Sequence, residues 1–317
     1  MSINPCETAK RISGAVNRTP LLPWGVPDNR IELRLKLECL QETGSFKARG
    51  AVNQISLMSE GEREAGVVAC SSGNHGRALA WASRKAGVDA SIFLPADAYP
   101  NKIDAIRAEG AKAVVCPTRQ LAEEACSEAV SRGATLVHPY DSWRTIEGAS
   151  TVGVEIGEDW PEVDCVVVPV GGGGLASGVL LGLEAACGRP VPIVGVEPRG
   201  ARGMAMSINA GEPIVLGEIN TDVQGLCPLV GGKRNWEILS TGEVYMESLT
   251  DDPIFETQRD LQSKADWPVE PAGAAAVAWV LSGGPSKLNL FPSSEEGVLR
   301  VAAIVSGGNS EQPQKGV

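Results

Sequence analysis

Aromatic residues make up only 4% of these 317 residues, and His75 and His138 are the only two histidines. A histidine-built metal centre therefore has almost no material. Basic residues are the minority, 28 Lys and Arg against 39 Asp and Glu, leaving a net charge of −11. A surface of that sign repels a phosphate backbone, so no nucleic-acid partner is expected. The eight cysteines include no CxxC pair, and most lie in apolar runs such as VVAC and DCVVVPV. Free, buried thiols of a cytoplasmic protein account for that pattern better than disulfides or zinc. The one long uncharged run, residues 165–183, is interrupted by Pro169 and the glycines at 171–174, which excludes a membrane-spanning helix there. The opening MSINPCETAKR has no apolar core of the signal-peptide kind.

What is present is ordinary globular material, 43% hydrophobic and 21% charged, in a chain long enough for about two domains. In residues 31–38 (IELRLKLE) apolar and charged side chains alternate, the period of a half-buried strand. From residue 66 the rhythm is strand, loop, helix, repeated. GVVAC, DASIFL, AKAVVC and ATLVH are the strands, with helices over RALAWASRKAG, from a cap at Asn101 to Gly110, and over QLAEEACSEAVSR. DCVVVPV, LASGVLLGLEAA and PIVGVE repeat the unit further along. Such alternation predicts an α/β chain with parallel-rich sheets flanked by helices, and ligands at the carboxyl ends of the strands.

Three segments carry chemistry. Gly171, Gly172, Gly173 and Gly174 separate a buried strand from a helix, where bare backbone N–H groups and the helix dipole suit a phosphate. On its own this run also fits a dinucleotide fingerprint, Gly171-x-Gly173-x-x-Ala176, with Glu197 ending the next strand. A dinucleotide-binding oxidoreductase is thus the rival reading. A Walker A loop is excluded, because Cys227 stands where the first glycine before Gly232-Lys233 is required. The second segment, GSFKARGA (44–51), holds Lys47 among small and aromatic residues. Burial there would disfavour the charged amine and turn it into a nucleophile or base. The third, SSGNHG (71–76), sets two hydroxyls, an amide and an imidazole at the end of a buried strand.

With RTPL (18–21), LKLE (35–38), VGVEP (194–198), EPAGAAA (270–276) and SGGN (306–309), these motifs run in register along nearly the whole chain. In this the sequence resembles the fold-type II pyridoxal-phosphate enzymes, the group of threonine and serine dehydratases, serine racemase and the tryptophan synthase β fold. The resemblance implies two lobes: a large discontinuous cofactor-binding domain, 1–65 and 144–317, and a small domain, 66–143, with the active site in the cleft between them. It implies pyridoxal 5'-phosphate joined as a Schiff base to Lys47, with Phe46 beside the ring. Asn74 would sit at the ring 3'-oxygen, Gly171 to Gly174 on the phosphate and Ser306 at the pyridine nitrogen. Ser71, Asn74, His75 and Arg119 would surround the substrate, and Ser72 would face the other side of its α-carbon, where racemases return a proton.

The implied reaction is loss of water from a β-hydroxy amino acid such as L-serine or L-threonine, giving a 2-keto acid and ammonia. Racemisation and β-replacement are the alternatives. A homodimer is implied as well. Two departures from the family pattern bear on specificity. Where racemase-like members bind a divalent cation, this chain has Glu197, Ala201 and Gly203 with Arg202 between, so an acid is missing and no tight divalent site is expected. Gln224 replaces an acid near the substrate hydroxyl, which leaves room for 3-hydroxyaspartate. Only eight residues follow SGGN, too few for a regulatory domain.

Overall fold

The computed structural model describes residues 3–290 and 297–309. Among these residues ten strands form two sheets. The larger contains β1 (Leu21–Trp24), β2 (Ile31–Lys36), β7 (Cys165–Pro169), β8 (Ile193–Pro198), β9 (Val244–Leu249) and β10 (Leu299–Ile304), in the order β1-β2-β10-β7-β8-β9. The smaller has the order β5-β4-β3-β6, from β3 (Val67–Cys70), β4 (Ala90–Pro95), β5 (Lys112–Cys116) and the two-residue β6 (Thr135–Leu136). Every pairing is parallel except that of β1 with β2.

The central strands are apolar because helices cover both faces, which is what an all-parallel arrangement demands. Each residue of β7 and β8 is buried. Leu35, Val167, Val196 and Ala303 pack on one face against the helix Pro271–Leu281, whose Trp279 is wholly enclosed. Val166, Val168, Ile193 and Ile304 pack on the other against the helix Gly174–Cys187. A separate core, with Leu79, Trp81, Ile92, Leu94 and Ile106, fills the region of the smaller sheet.

Glycine has a second use that the motifs did not reveal. The helix Trp143–Asp159 lies so close to its neighbours that several positions have no space for a side chain. A Cβ at Gly153 or Gly182 would run into the backbone of the facing helix, and one at Gly148 would come within 2.6 Å of the Gly50 Cα. That last contact seats the helix Lys47–Ser56, which carries the lysine of interest.

Several element boundaries differ from the sequence expectation. The helix expected to start at Arg77 starts at Asn74, so half of SSGNHG is its first turn. Asn101 is not a cap: Pro100, whose missing N–H costs nothing there, is the first helical residue and Tyr99 precedes it. ATLVH shrinks to β6, where Thr135 and Leu136 pair with Val67 and Val68 of β3 and the ladder ends as Val137 N donates to Val68 O (2.9 Å).

Candidate active site

β3, β7 and β10 all end on one cleft of about 500 Å³, and the turns after them line it: Ser71 to His75, Gly171 to Gly174, and Ser306. Lys47 is the first residue of its helix. The preceding turn is stitched to the end of β10 by two backbone bonds. Phe46 N donates to Ser306 O (3.1 Å) and Gly308 N to Gly44 O (2.8 Å), which sets Ser45 opposite Gly307 as an antiparallel bridge. This fixes where the lysine side chain starts.

The half-buried Lys47 donates from Nζ to the carbonyl of Pro139 at 2.6 Å and lies 4.8 Å from the Phe46 ring centre. Burial pulls its pKa from 10.5 down to about 8, against the opposing attraction of the Glu270 carboxylate. A substantial fraction of neutral amine at physiological pH is the property a nucleophile or base requires.

The sequence-predicted residues divide into groups. Phe46, Lys47, Ser71, Ser72, Asn74, His75, Gly171 to Gly174, Ser306 and Gln224 all line the cleft. Ser71 Oγ also accepts from the N–H groups of Gly73 and Gly76 (3.3 Å each), so it caps the helix Asn74–Ala86 as well as facing the cleft. Asn74 is locked by its neighbours: Nδ2 donates to Glu270 (2.6 Å), and Oδ1 accepts from Asn309 (2.8 Å). His75 bonds through Nε2 to Val137 O at 2.8 Å, and burial, then the Lys47 charge, drives its pKa down to about 3. It is therefore neutral across the physiological range, and its ring is tied to the protein. Arg119 is the loosest member, at the cleft rim, two-thirds exposed and paired with Glu123 at 3.1 Å. Gln224 accepts from Lys102 across the cleft mouth at 3.4 Å.

Three further residues shape the cleft and were missed by sequence reasoning. Glu270, in EPAGAAA, holds Asn74. Tyr140 packs its ring against Gly172, where any Cβ would collide with it, and donates its hydroxyl to Val230 O (3.1 Å). Asn235 bridges Gly172 O (2.8 Å) and Tyr140 O (3.0 Å). Glu270 was in view as part of a motif; Tyr140 and Asn235 stand in no motif, and only tertiary proximity identifies them.

Glu197 is buried, and its carboxylate accepts from the N–H groups of Met204 and Ala205 (2.9 Å each) at the start of the helix Gly203–Ala210. Burial pushes its pKa up to about 7. Among the described residues no group of three or more His, Cys, Asp or Glu is placed to hold a metal ion.

The glycine run leaves a helix start facing the cleft. The helix Gly174–Cys187 begins there with no side-chain cap, and Gly173 takes a left-handed φ of +90° that favours glycine. Uncapped N–H groups at a helix start, opening on a cleft with a pKa-lowered lysine, suit a ligand with an aldehyde at one end and a phosphate at the other.

The model of the family "Pyridoxal-phosphate dependent enzyme" matches residues 12–307. The chain belongs to that family. Its cofactor is pyridoxal phosphate, and its fold is the two-sheet α/β fold of the type II members. Serine racemase of Oryza sativa subsp. indica is 34% identical over 307 residues, 96% of this chain and 89% of the relative. The catabolic L-threonine dehydratase of Staphylococcus aureus is 34% identical over 318 residues, 98% and 89% of the two chains. The solved serine racemase of Dictyostelium discoideum superposes with a TM-score of 0.87 at 31% identity, covering 97% of this chain and 98% of its own. No helix among the described residues is long and apolar enough to cross a membrane.

Proposed function

We propose that this enzyme is an ammonia-lyase of β-hydroxy amino acids, with L-serine and L-threonine as first substrates, releasing a 2-keto acid and ammonia. At a coarser level it is a pyridoxal-phosphate dependent lyase or isomerase of small amino acids. The observation that carries the proposal is the Lys47 amine, lowered to about 8 and hydrogen-bonded to a carbonyl, in the same cleft as the uncapped glycine turn and the Ser71–Ser72 hydroxyls. Likeness to a threonine dehydratase supports it.

Pyridoxal phosphate, when bound, supplies an electron sink for the charge that builds at the substrate α-carbon. Gly171 to Gly174 hold its phosphate, Asn74 its ring oxygen and Ser306 its ring nitrogen. A hydroxyl at that nitrogen does not enforce protonation as a carboxylate would, so charge at the α-carbon is only mildly stabilised and a β-substituent leaves promptly. Ser71 and Asn74 orient the substrate carboxylate. Lys47 Nζ takes the α-proton as the α-C–H bond breaks. The β-C–O bond then breaks, and the hydroxide departs with a proton from a cleft hydroxyl that is restored from Nζ. In net terms the α-proton leaves in the water. The released enamine hydrolyses to keto acid and ammonia. General base catalysis of this kind is worth ~10²–10⁴-fold. Residues 66–143 would form the smaller lobe and the rest the larger, with the enzyme a cytoplasmic homodimer.

Racemisation is the second reading. Ser72 lines the cleft, and two of the relatives named above are serine racemases. 3-Hydroxyaspartate is the second substrate, because Gln224 puts no negative charge at the cleft mouth and Lys102 stands beside it. The test is incubation with L-serine, D-serine, L-threonine and 3-hydroxyaspartate, following keto acid, ammonia and the chirality of recovered substrate. Keto acid and ammonia in equal amounts, without the opposite enantiomer, is the expected result. Inverted amino acid without keto acid would make the enzyme a racemase instead.

A further inference from the structure

Asn235 lies outside the cleft lining, in the first turn of the helix Lys233–Thr241, and is wholly buried. Its Nδ2 donates twice, to Gly172 O and to Tyr140 O, while its Oδ1 has no partner among the described residues. Leaving a buried acceptor unpaired is destabilising, and an apolar residue of similar size would avoid it. Packing therefore does not explain an asparagine here. The donor end of the amide does.

That donor end acts on the glycine turn. Gly172 O is held from one side by Asn235 Nδ2 (2.8 Å) and by Gly232 N (3.0 Å). In a trans peptide the carbonyl and the following N–H point in opposite directions. With the Gly172 carbonyl turned towards Asn235, the N–H of Gly173 is turned away from it, to the cleft side that Gly171 to Gly174 line. The same amide secures Tyr140, whose ring rests on Gly172. The next residue, Asp141, accepts from the N–H groups of Lys233 (3.2 Å) and Arg234 (3.1 Å). The turn between the smaller sheet and the long helix is thus docked onto the start of the Asn235 helix, and the amide completes the joint. A glycine turn left to itself flips its peptides easily. We propose that Asn235 is a positioning residue that fixes the 172–173 peptide with its N–H towards the cofactor phosphate, so that affinity for the phosphate end depends on a residue that does not line the cleft. The inference rests on pyridoxal phosphate as the cofactor and not on which amino acid is the substrate.

Equilibrium binding of pyridoxal phosphate and of pyridoxal, which lacks the phosphate, to the cofactor-free full chain tests this without any turnover. Asn235→Asp keeps the shape and loses both donors; Asn235→Ala removes the amide altogether. In both variants affinity for pyridoxal phosphate is expected to fall about 10- to 100-fold, the equivalent of one hydrogen bond to a charged group, with affinity for pyridoxal unchanged within about twofold. Equal weakening of both ligands, or of neither, would overturn the proposal. So would loss of the cofactor-free fold in both variants, since Asn235 would then be a prop of the helix packing and not a setter of the turn. A failure of lyase activity on every amino acid tried would touch the functional proposal and leave this one standing.

Discussion

Lys36 and Lys47 stand close in sequence, and both have left bulk water, yet their surroundings differ completely. Lys36 is fully buried, its Nζ bonded to Glu155 (2.6 Å) and to Thr19 O (2.7 Å). Beside it the buried Arg49 makes a two-bond pair with Glu38 (2.7 and 2.8 Å) and a second with Glu155 (2.6 and 2.8 Å). Two cations and two carboxylates cancel. Burial alone would raise the Glu38 pKa, but Arg49 and then Lys36 hold it below the usual carboxylate value. Lys47 is hydrogen-bonded to a carbonyl, with Glu270 as the carboxylate that pulls on it from nearby, and its amine loses proton affinity. Enclosure with matched counter-charge makes a structural cation; enclosure beside a neutral acceptor makes a chemical one.

The sharpest way to break that comparison is to remove each cation. Lys47→Ala should lower keto-acid release by at least ~10⁴-fold, the upper end of what a single proton-transfer group supplies, because attachment and base are lost together. The melting temperature of the cofactor-free protein should not fall. If the loss were below tenfold, Lys47 would not be the reactive amine. Arg49→Met should do the reverse. Leaving Glu38 and Glu155 buried with one cation between them costs about 3–5 kcal/mol, measurable by urea unfolding. Turnover per folded molecule should stay within a few-fold of the parent.

A pH series sharpens the same contrast. The capture rate of pyridoxal phosphate by the cofactor-free protein depends on neutral Lys47. With its pKa at about 8, that rate should fall about tenfold per unit as pH drops below 8 and level off above it. A profile rising steadily to pH 10 would mean an amine titrating near its ordinary value. The smallest effect is expected at the cleft mouth. Gln224→Asp should reduce the preference for 3-hydroxyaspartate over serine by about two- to fivefold, roughly 0.4 to 1 kcal/mol of repulsion at an exposed site, as read from the ratio of kcat/KM values.

Much of this was legible in the sequence because the motifs sit at strand ends, and strand ends are readable. VVAC before SSGNHG and CVVVP before the four glycines are apolar runs that only a doubly covered sheet accommodates, so the cleft residues after them could be named from order alone. What escaped was whatever depends on a partner distant in sequence. Tyr140 and Asn235 meet Gly172 from separate elements, and neither residue type signals that contact locally. At 171–174 the glycines read as room for a ligand. At Gly153 and Gly182 the room is for another helix, and at Gly172 for a tyrosine ring. Asn101 shows the limit of local capping rules: Pro100 begins the helix by virtue of its fixed φ, and the polar residue after it is an ordinary first-turn position.

The most direct test of the account is to reduce the cofactor-bound enzyme with borohydride and map the modified peptide by mass spectrometry. The account predicts a phosphopyridoxyl group on the Nζ of Lys47 and on no other lysine, Lys36 included. A label on a different lysine, or a cofactor that washes away unreduced, would contradict it.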